Sequence, residues 1–427
     1  MKKNLFQLQQ HNTTVKQEVS AGFIGFFTIV YIIAVNSLIL SEAGIPLEGA
    51  IMATIITSFA GCLLMGFWAN APILVVPGMG INAMFTYTLV QSMGLSWQEA
   101  LGVTVISGLI FTIIAFTRLT TIINSAIPGS LKEAITIGIG LFLMLIGLEN
   151  GRLVERGDQS IIALGDLSDP HVLATILTLA IALILYIRNV KGHFLWTILI
   201  GIGIAFMLNI LPARTNDTFS LRGYSEVFGA FTLENWTSLP FIIAVFSITM
   251  VIVFESIGLI SGQLNMTNRP EKFKKAYQAN GISSMLSGVF GSSPTVSTAE
   301  SAAAIAAGGR TGLTAITAGT LFLGTVFLIP YINIIPSNAI APILIIIGAL
   351  MVQNIRNLNF QDLTESFPAI FIIIMIPFTY SIADGIAMGF ILYALLKLTT
   401  GKERTVSLTL YIIAGLFLLT FILQFAS

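Results

Sequence analysis

Charge is scarce in this chain. Only 9% of its 427 residues are charged, against about 25% in a soluble protein. The 20 basic and 20 acidic residues cancel, so no surplus of positive charge is available to hold nucleic acid, and too few polar residues exist to cover a large soluble domain. One cysteine, Cys62, excludes an internal disulfide. The three histidines, His11, His171 and His193, fall at predicted segment ends and suggest neither a metal site nor a proton relay. No GxxxxGK[ST] loop occurs, which argues against direct coupling to ATP. No nucleophile with a nearby base stands inside the apolar segments, so an intramembrane enzyme is the weakest reading. The polar first twenty residues lack the charged start, apolar core and small-residue end of a cleavable signal peptide, and none is expected.

Apolar residues fill the space that charge leaves, at 55% of the chain. Stretches near 20 residues recur, the length that crosses a bilayer as a helix. Length and flanking charge predict spans over 19–41, 48–69, 71–92 (broken), 98–117, 132–149, 171–188 and 193–211. After a polar stretch they resume over 239–262, 276–290, 292–309 (broken), 311–331, 339–355, 366–381 and 384–398, with 406–426 as a further crossing unless 366–398 is one bent element. With the amino terminus cytoplasmic, every basic residue except Arg152, Arg156, Arg214 and Arg222 falls on the inner side, the bias that orients membrane proteins. The expected location is therefore the cell membrane. The expected partners are a small solute and lipid, with no nucleic acid.

The organisation looks duplicated. The third span of each half is broken by proline, in Asn70-Ala-Pro72-Ile-Leu-Val-Val-Pro77-Gly-Met-Gly80 and in Gly291-Ser-Ser-Pro294-Thr-Val-Ser-Thr-Ala-Glu300. Proline lacks a donor and clashes one turn back, so no ordinary helix runs through either place. The segments beyond, 81–90 and 300–307, are too short to cross alone, and extended peptide has to supply the rest. Such backbone survives at membrane depth only under protein or beside a water-filled cavity, and paired interrupted segments point to a transporter's binding site. Seven spans per half invert the second copy, so the two short helices are expected to point their amino ends at one ligand. Two acids stand at that depth, Glu255 within the run 241–260 and Glu300 at the start of 301–307. An ionisable residue there is a functional candidate by default.

Pro77-Gly-Met-Gly-Ile-Asn82-Ala-Met-Phe-Thr-Tyr87-Thr, Phe254-Glu255-Ser-Ile-Gly258 and Thr298-Ala-Glu300-Ser-Ala-Ala-Ala-Ile-Ala-Ala-Gly-Gly-Arg310-Thr-Gly-Leu-Thr314 resemble the PGMGLNAFFAYT, FDTIG and TYVESAAGIAAGGRTGLT signatures of AzgA-like purine permeases. These form a branch of the nucleobase-ascorbate transporter (xanthine/uracil permease) family. The segments from Ala21 to Asn36 and from Pro377 to Ala387 are similar to the same branch. The resemblance implies an all-α polytopic membrane protein of about 14 spans in 7+7 inverted repeats, with short strands in broken segments 3 and 10. It implies a core domain over 1–131 and 239–332 and a gate domain over 132–238 and 333–427. It further implies proton-driven import of hypoxanthine, guanine or adenine, no cofactor beyond the proton, and a homodimer through the gate domain. Carried over by position, the binding residues are Asn82, Glu255 and Glu300, with the Thr298 and Ala299 N–H groups expected free to meet the ring.

The chemistry suits a purine edge. A carboxylate at Glu300 accepts two parallel N–H bonds, and Asn82 offers both a donor and an acceptor. Glu255, mid-span with Gly258 one turn away, is placed to load and release a proton, which makes it the candidate coupling group as well as a ligand. The chain departs from the branch at Ile252, where a second acid is usual, at Leu259, at Thr298 and at Ser293-Pro294-Thr295. All of these touch the pocket and bear on which base it prefers. Structural readings stand beside the functional ones: Glu255 as a hydrogen-bond hub, Glu300 capping its own helix, Asn82 as an N-cap, Arg310 snorkelling to lipid phosphate, and Asp384 capping a helix from Gly385 or gating. The alternative carriers on this architecture take uracil, xanthine or an anion, although two glutamates repel an anion.

Overall fold

Where the prolines interrupt the two third spans, the chain leaves the helix and pairs with itself. The computed structural model describes residues 6–120, 127–157, 162–212, 221–329, 335–401 and 406–426. Lys2, Lys3, Arg214, Lys402 and Arg404, which entered the charge bias, lie outside them. The elements of the first half are α1 (Val15–Ile29), α2 (Ile32–Glu42), α3 (Leu47–Leu64), β1 (Val75–Pro77), α4 (Met79–Ala83), α5 (Trp97–Phe116), α6 (Gly129–Asn150), the small hairpin β2 (Val154–Glu155) and β3 (Ala163–Leu164), α7 (Pro170–Ile187) and α8 (His193–Met207). The second half holds α9 (Leu239–Met266), α10 (Phe273–Val289), β4 (Thr295–Ser297), α11 (Ser301–Ala306), α12 (Gly312–Gly324), α13 (Ser337–Val352), α14 (Leu363–Thr379), α15 (Ile382–Thr399) and α16 (Leu408–Ala426). Among the described residues, eight helical runs are long and apolar enough to cross a bilayer.

Packing displays the duplication. With α1–α2 as span 1 and the broken segments as spans 3 and 10, most of the larger contacts between spans recur when both numbers shift by seven. Thus α1 packs on α12 as α9 does on α5, α13 on α7 as α14 on α6, and α1 on α8 as α9 on α15. By the same shift, the contact of α3 with α12 answers that of α10 with α5, and the contact of α6 with α13 maps onto itself. The predicted break positions hold, and β1 and β4 pair antiparallel with Val76 opposite Val296. Beyond β1 the chain winds as α4 and then as a wide π-type turn over Met84–Ser92.

The stretch 366–398 is two helices and not one bent element. Tyr380 caps α14 in the left-handed conformation, and α15 doubles back so that Gly389 faces Ile372 and Gly385 faces Ile376. The last run, α16, follows as an extra helix with no counterpart of its length among the described residues of the first half. It seats Phe417 against Phe246 at 4.8 Å and Phe390 at 6.0 Å between ring centroids.

Buried charges are anchored. Glu18 in α1 is fully buried and accepts from Arg310 N at 3.0 Å, Thr311 N at 3.1 Å and Thr314 Oγ1 at 2.5 Å, so the GGRTGLT stretch wraps a carboxylate at the start of α12. Arg310 does not snorkel to lipid. Its guanidinium donates to the Ile305 and Gly309 carbonyls at 2.8 and 2.7 Å, closing the carboxyl end of α11, where a cation is favoured. Lys397, counted among the inner-side basic residues, is 4% exposed and pairs with Glu365 at 2.6 Å. Asp384 lies in the first turn of α15, which Ser381 caps.

Helices cross closely where glycine permits it. A Cβ on Gly312 would stand 2.1 Å from the Gly66 carbonyl oxygen, so Gly312→Val should unlock α12 from α3 and lower the thermal unfolding midpoint of the detergent-purified protein, by about 3 kcal/mol of overpacking. A second outcome concerns Lys272, in the turn between α9 and α10, outside the spans. It donates to the Asn70 carbonyl and lies 3.5 Å from His11. Burial, then the nearby Arg269 charge, pushes its ammonium down to about 8 from an ordinary 10.5. In that window the unfolded chain keeps a proton the folded chain has released, so this group's contribution to stability rises as pH climbs from about 8 to about 10. Unfolding midpoints across that range should rise less in Lys272→Met than in the parent protein.

Candidate functional site

The site is built on the β1–β4 crossing. Beyond the ladder, Gly78 N donates to the Pro294 carbonyl at 3.2 Å, and Thr298 N donates to the Leu74 carbonyl at 3.3 Å. These bonds satisfy backbone that neither helix can serve. The Thr298 N–H, expected to be free, is therefore spent on Leu74 just past the ladder. Its carbonyl is taken too, by Gln263 Nε2 from α9 at 2.6 Å. Gln263 thus ties the long helix of span 8 to the break in span 10, and α9 also contacts α4 and α11. This one helix bridges both broken segments.

Glu300 occupies the N-cap position of α11, but its side chain makes no capping bond. Its carboxylate instead accepts the Tyr31 hydroxyl at 2.5 Å. Tyr31, between α1 and α2, is buried, and its ring meets Phe194 of α8 edge to face at 4.8 Å. Glu300 is half-buried and Ala299 beside it is exposed. Glu255, also half-buried, has no hydrogen-bonding or ionic partner among the described residues, so the hub reading gains no bond. On its helical face, Gly258 and Gly262 are exposed, and a Cβ on either would meet nothing within 4 Å. The open surface therefore runs along α9 and α11 towards the end of the molecule where Arg269 holds the Gln10 carbonyl at 3.2 Å. On that side Lys132 of α6 lies 5.5 Å from the Phe254 ring centre.

Asn82 is fully buried, in the middle of α4, where Gly78 is the N-cap. Its Nδ2 donates to Asn36 Oδ1 at 3.0 Å. Asn36 also accepts from Ser293 at 3.2 Å and donates to Thr54 at 2.8 Å and to Ser292 at 3.4 Å. One amide in α2 therefore joins spans 1, 2, 3 and 10. Among the described residues, Asn82 Oδ1, Gln263 Oε1, Ser297 Oγ and Thr298 Oγ1 are buried polar atoms without a protein partner. They gather around the crossing, where a buried polar group calls for explanation. Tyr31, Asn36 and Gln263 escaped the sequence reading although each is a polar residue inside an apolar run, the same signal that marked Glu255.

The opposite mouth is closed. Tyr87 donates to Glu42 at 2.8 Å, Asn150 of α6 reaches the same carboxylate at 3.4 Å, and Ile382 N of α15 donates to Thr88 at 3.2 Å. Tyr380, Phe142 and Tyr87 interlock by their rings over this contact. These contacts tie the end of span 3 to α2, α6 and α15 at one end of the site, while Gly258 and Gly262 are exposed at the other.

Known proteins share both sequence and fold with this chain. The family described as "Permease family" (Xan_ur_permease) matches residues 16–388. The chain is 50% identical over 383 residues to the nucleobase transporter PlAzg2 of Paenibacillus larvae, covering 89% of this chain and 77% of that one. It is 34% identical to the guanine/hypoxanthine permease PbuO of Bacillus subtilis, over 97% and 98% of the two chains. With the adenine permease AdeP of Escherichia coli it shares 35%, over 98% and 95%. Among solved structures, the transmembrane domain of the cyanobacterial bicarbonate transporter BicA has the same fold, with a TM-score of 0.63 at 13% identity, over 88% of this chain and 97% of that one.

Replacing Asn36 with Ala leaves the Asn82 and Ser293 donors without their acceptor. The expected loss is about 3 kcal/mol, from buried groups worth about 1–3 kcal/mol each when orphaned. The drop in unfolding midpoint checks it, and Ser41→Ala, whose hydroxyl bonds only within its own helix, should fall within about 0.5 kcal/mol of the parent protein.

Proposed function

Given that the chain belongs to the xanthine/uracil permease family, and is a multi-pass membrane permease and not an enzyme, we propose that it imports purine nucleobases of the hypoxanthine, guanine or adenine type by proton symport. The base sits between α4, α9 and α11. The observation that carries this reading is the pair of half-buried carboxyls, Glu255 and Glu300, on the exposed surface beside the β1–β4 crossing. Glu300 offers a carboxylate already oriented by Tyr31, with lone pairs left for ring N–H groups. Ala299 adds a backbone edge, and the Thr298 hydroxyl, not its N–H, is the group there without a protein partner. Asn82 contributes through its free Oδ1 or through the Asn36 network that holds α4 in place. The bareness of Gly258 leaves room for a flat ring.

Glu255 is the proposed coupling group. A carboxyl with neither donor nor cation beside it is costly to carry through a low-dielectric passage as a charge, so taking up a proton favours the loaded crossing. In this reading, residues 1–131 and 239–332 move as a core against a gate of 132–238 and 333–427. The amino terminus is cytoplasmic, so the exposed side of the site faces the cytoplasm. Two copies associate through their gates, and no cofactor is required beyond the proton. The names of the relatives divide between adenine and guanine/hypoxanthine, which supports a purine and leaves the choice among bases to measurement. A uracil, xanthine or anion carrier on the same fold is the competing reading, and the two carboxyls favour a neutral ring over an anion.

Vesicles loaded with purified protein test this directly. Radiolabelled purine bases should accumulate under an inward proton gradient, and bicarbonate should not. Glu300→Ala should weaken apparent affinity roughly 10- to 100-fold, the value of one or two bonds to a charged acceptor. Glu255→Gln should abolish gradient-driven accumulation while base exchange persists. Proton-driven uptake unchanged in Glu255→Gln would refute the coupling role, and failure of every purine to accumulate would refute the substrate class.

A further inference from the structure

Away from the site, on the outer face of the core, the end of α3 and the flank of α10 enclose an apolar groove of about 410 Å³ lined by Phe59, Leu63, Phe67, Trp68 and Leu286. Phe67 and Trp68 are exposed. The groove ends in polar chemistry on one side only. Trp68 donates its indole N–H to Gln278 at 3.4 Å and packs against Phe116 of α5 at 6.3 Å between ring centroids. Lys274 and Lys275 lie four and three residues before Gln278 on α10, spacings that share a helix face. Arg118 follows Phe116 by two residues, and all three cations are exposed. The nearest acid in sequence, Glu271, is engaged by Arg269 at 3.6 Å, and no carboxylate pairs with Lys274, Lys275 or Arg118 among the described residues.

From these observations we propose that the groove binds an anionic glycerophospholipid, with one acyl chain lying along Leu63 and Leu286 and the phosphate held by Lys274, Lys275 and Arg118. The dimensions fit. Lys274 or Lys275 to Leu286 spans about 17 Å of helix, close to half of a hydrocarbon core of about 30 Å and hence the depth of a single leaflet. A tryptophan at the mouth is the side chain that settles at the headgroup boundary. Long basic side chains reach from apolar walls to a phosphate plane, and clustered cations beside a span select anionic over zwitterionic headgroups. The apolar wall excludes a free phosphate as the principal occupant, since it gives that ion nothing to hold.

The test uses Trp68 as the probe. A protein retaining Trp68 alone, with Trp97, Trp196 and Trp236 changed to Phe, is reconstituted into phosphatidylcholine vesicles and titrated with dibrominated phosphatidylglycerol or dibrominated phosphatidylcholine. Half-maximal quenching should occur at a mole fraction at least fivefold lower for the glycerol lipid. Lys274→Gln with Lys275→Gln and Arg118→Gln should bring the two curves together, and so should high salt on the unsubstituted probe protein. Coincident curves from the start, or a preference that survives both the substitutions and the salt, would overturn the assignment. Native mass spectrometry of the four-tryptophan protein is an independent check if the single-tryptophan form does not fold. Phosphatidylglycerol should outlast phosphatidylcholine on detergent exchange, and equal loss of both would count against the site.

Discussion

Backbone hydrogen bonds at membrane depth have to be closed within the protein, and the β1–β4 crossing is where this chain meets that demand. Proline at positions 72, 77 and 294 denies both third spans a continuous helix. The freed N–H and C=O groups would each cost several kcal/mol if left to lipid. Pairing the two interruptions with one another satisfies them, with Val75 opposite Ser297 and Pro77 opposite Thr295. That pairing obliges two segments more than 200 residues apart in the chain to meet, which forces the two repeats to interlock. The placement of Glu300, Asn82 and the polar atoms around them follows from it.

The acids of the core divide by what surrounds them. Glu18 is wrapped by donors from the GGRTGLT stretch and ties α1 to α12. Glu300 has one donor, Tyr31, and an exposed neighbour. Glu255 has neither. A buried carboxylate with a full set of donors is a fixed structural element, whereas one with few remains available to a ligand or a proton. The link from Glu300 through Tyr31 to Phe194 also places the carboxylate two contacts from α8.

The fold itself is shared with a bicarbonate transporter at 13% identity, so architecture alone does not choose a cargo. On the function proposed above, side chains at the crossing make the choice: two carboxyls, a tyrosine hydroxyl and amide groups suit a neutral ring with N–H edges, whereas an anion would meet repulsion at the same place.

Much of this was legible from residues alone. Composition and the recurrence of apolar runs determined a polytopic helical membrane protein, proline spacing located both broken segments, and the cost of charge in lipid singled out Glu255 and Glu300, because each of these rests on local covalent chemistry or on transfer from water. Partnerships across the fold were not legible. That Arg310 closes the end of α11, that Lys397 is buried against Glu365, that the Thr298 N–H is spent on Leu74, and that Asn36, Tyr31 and Gln263 hold the site together are facts of tertiary contact. A hydrogen bond between residues far apart in the chain leaves no periodicity or spacing to be read, and only the folded packing of the spans decides which donor meets which acceptor.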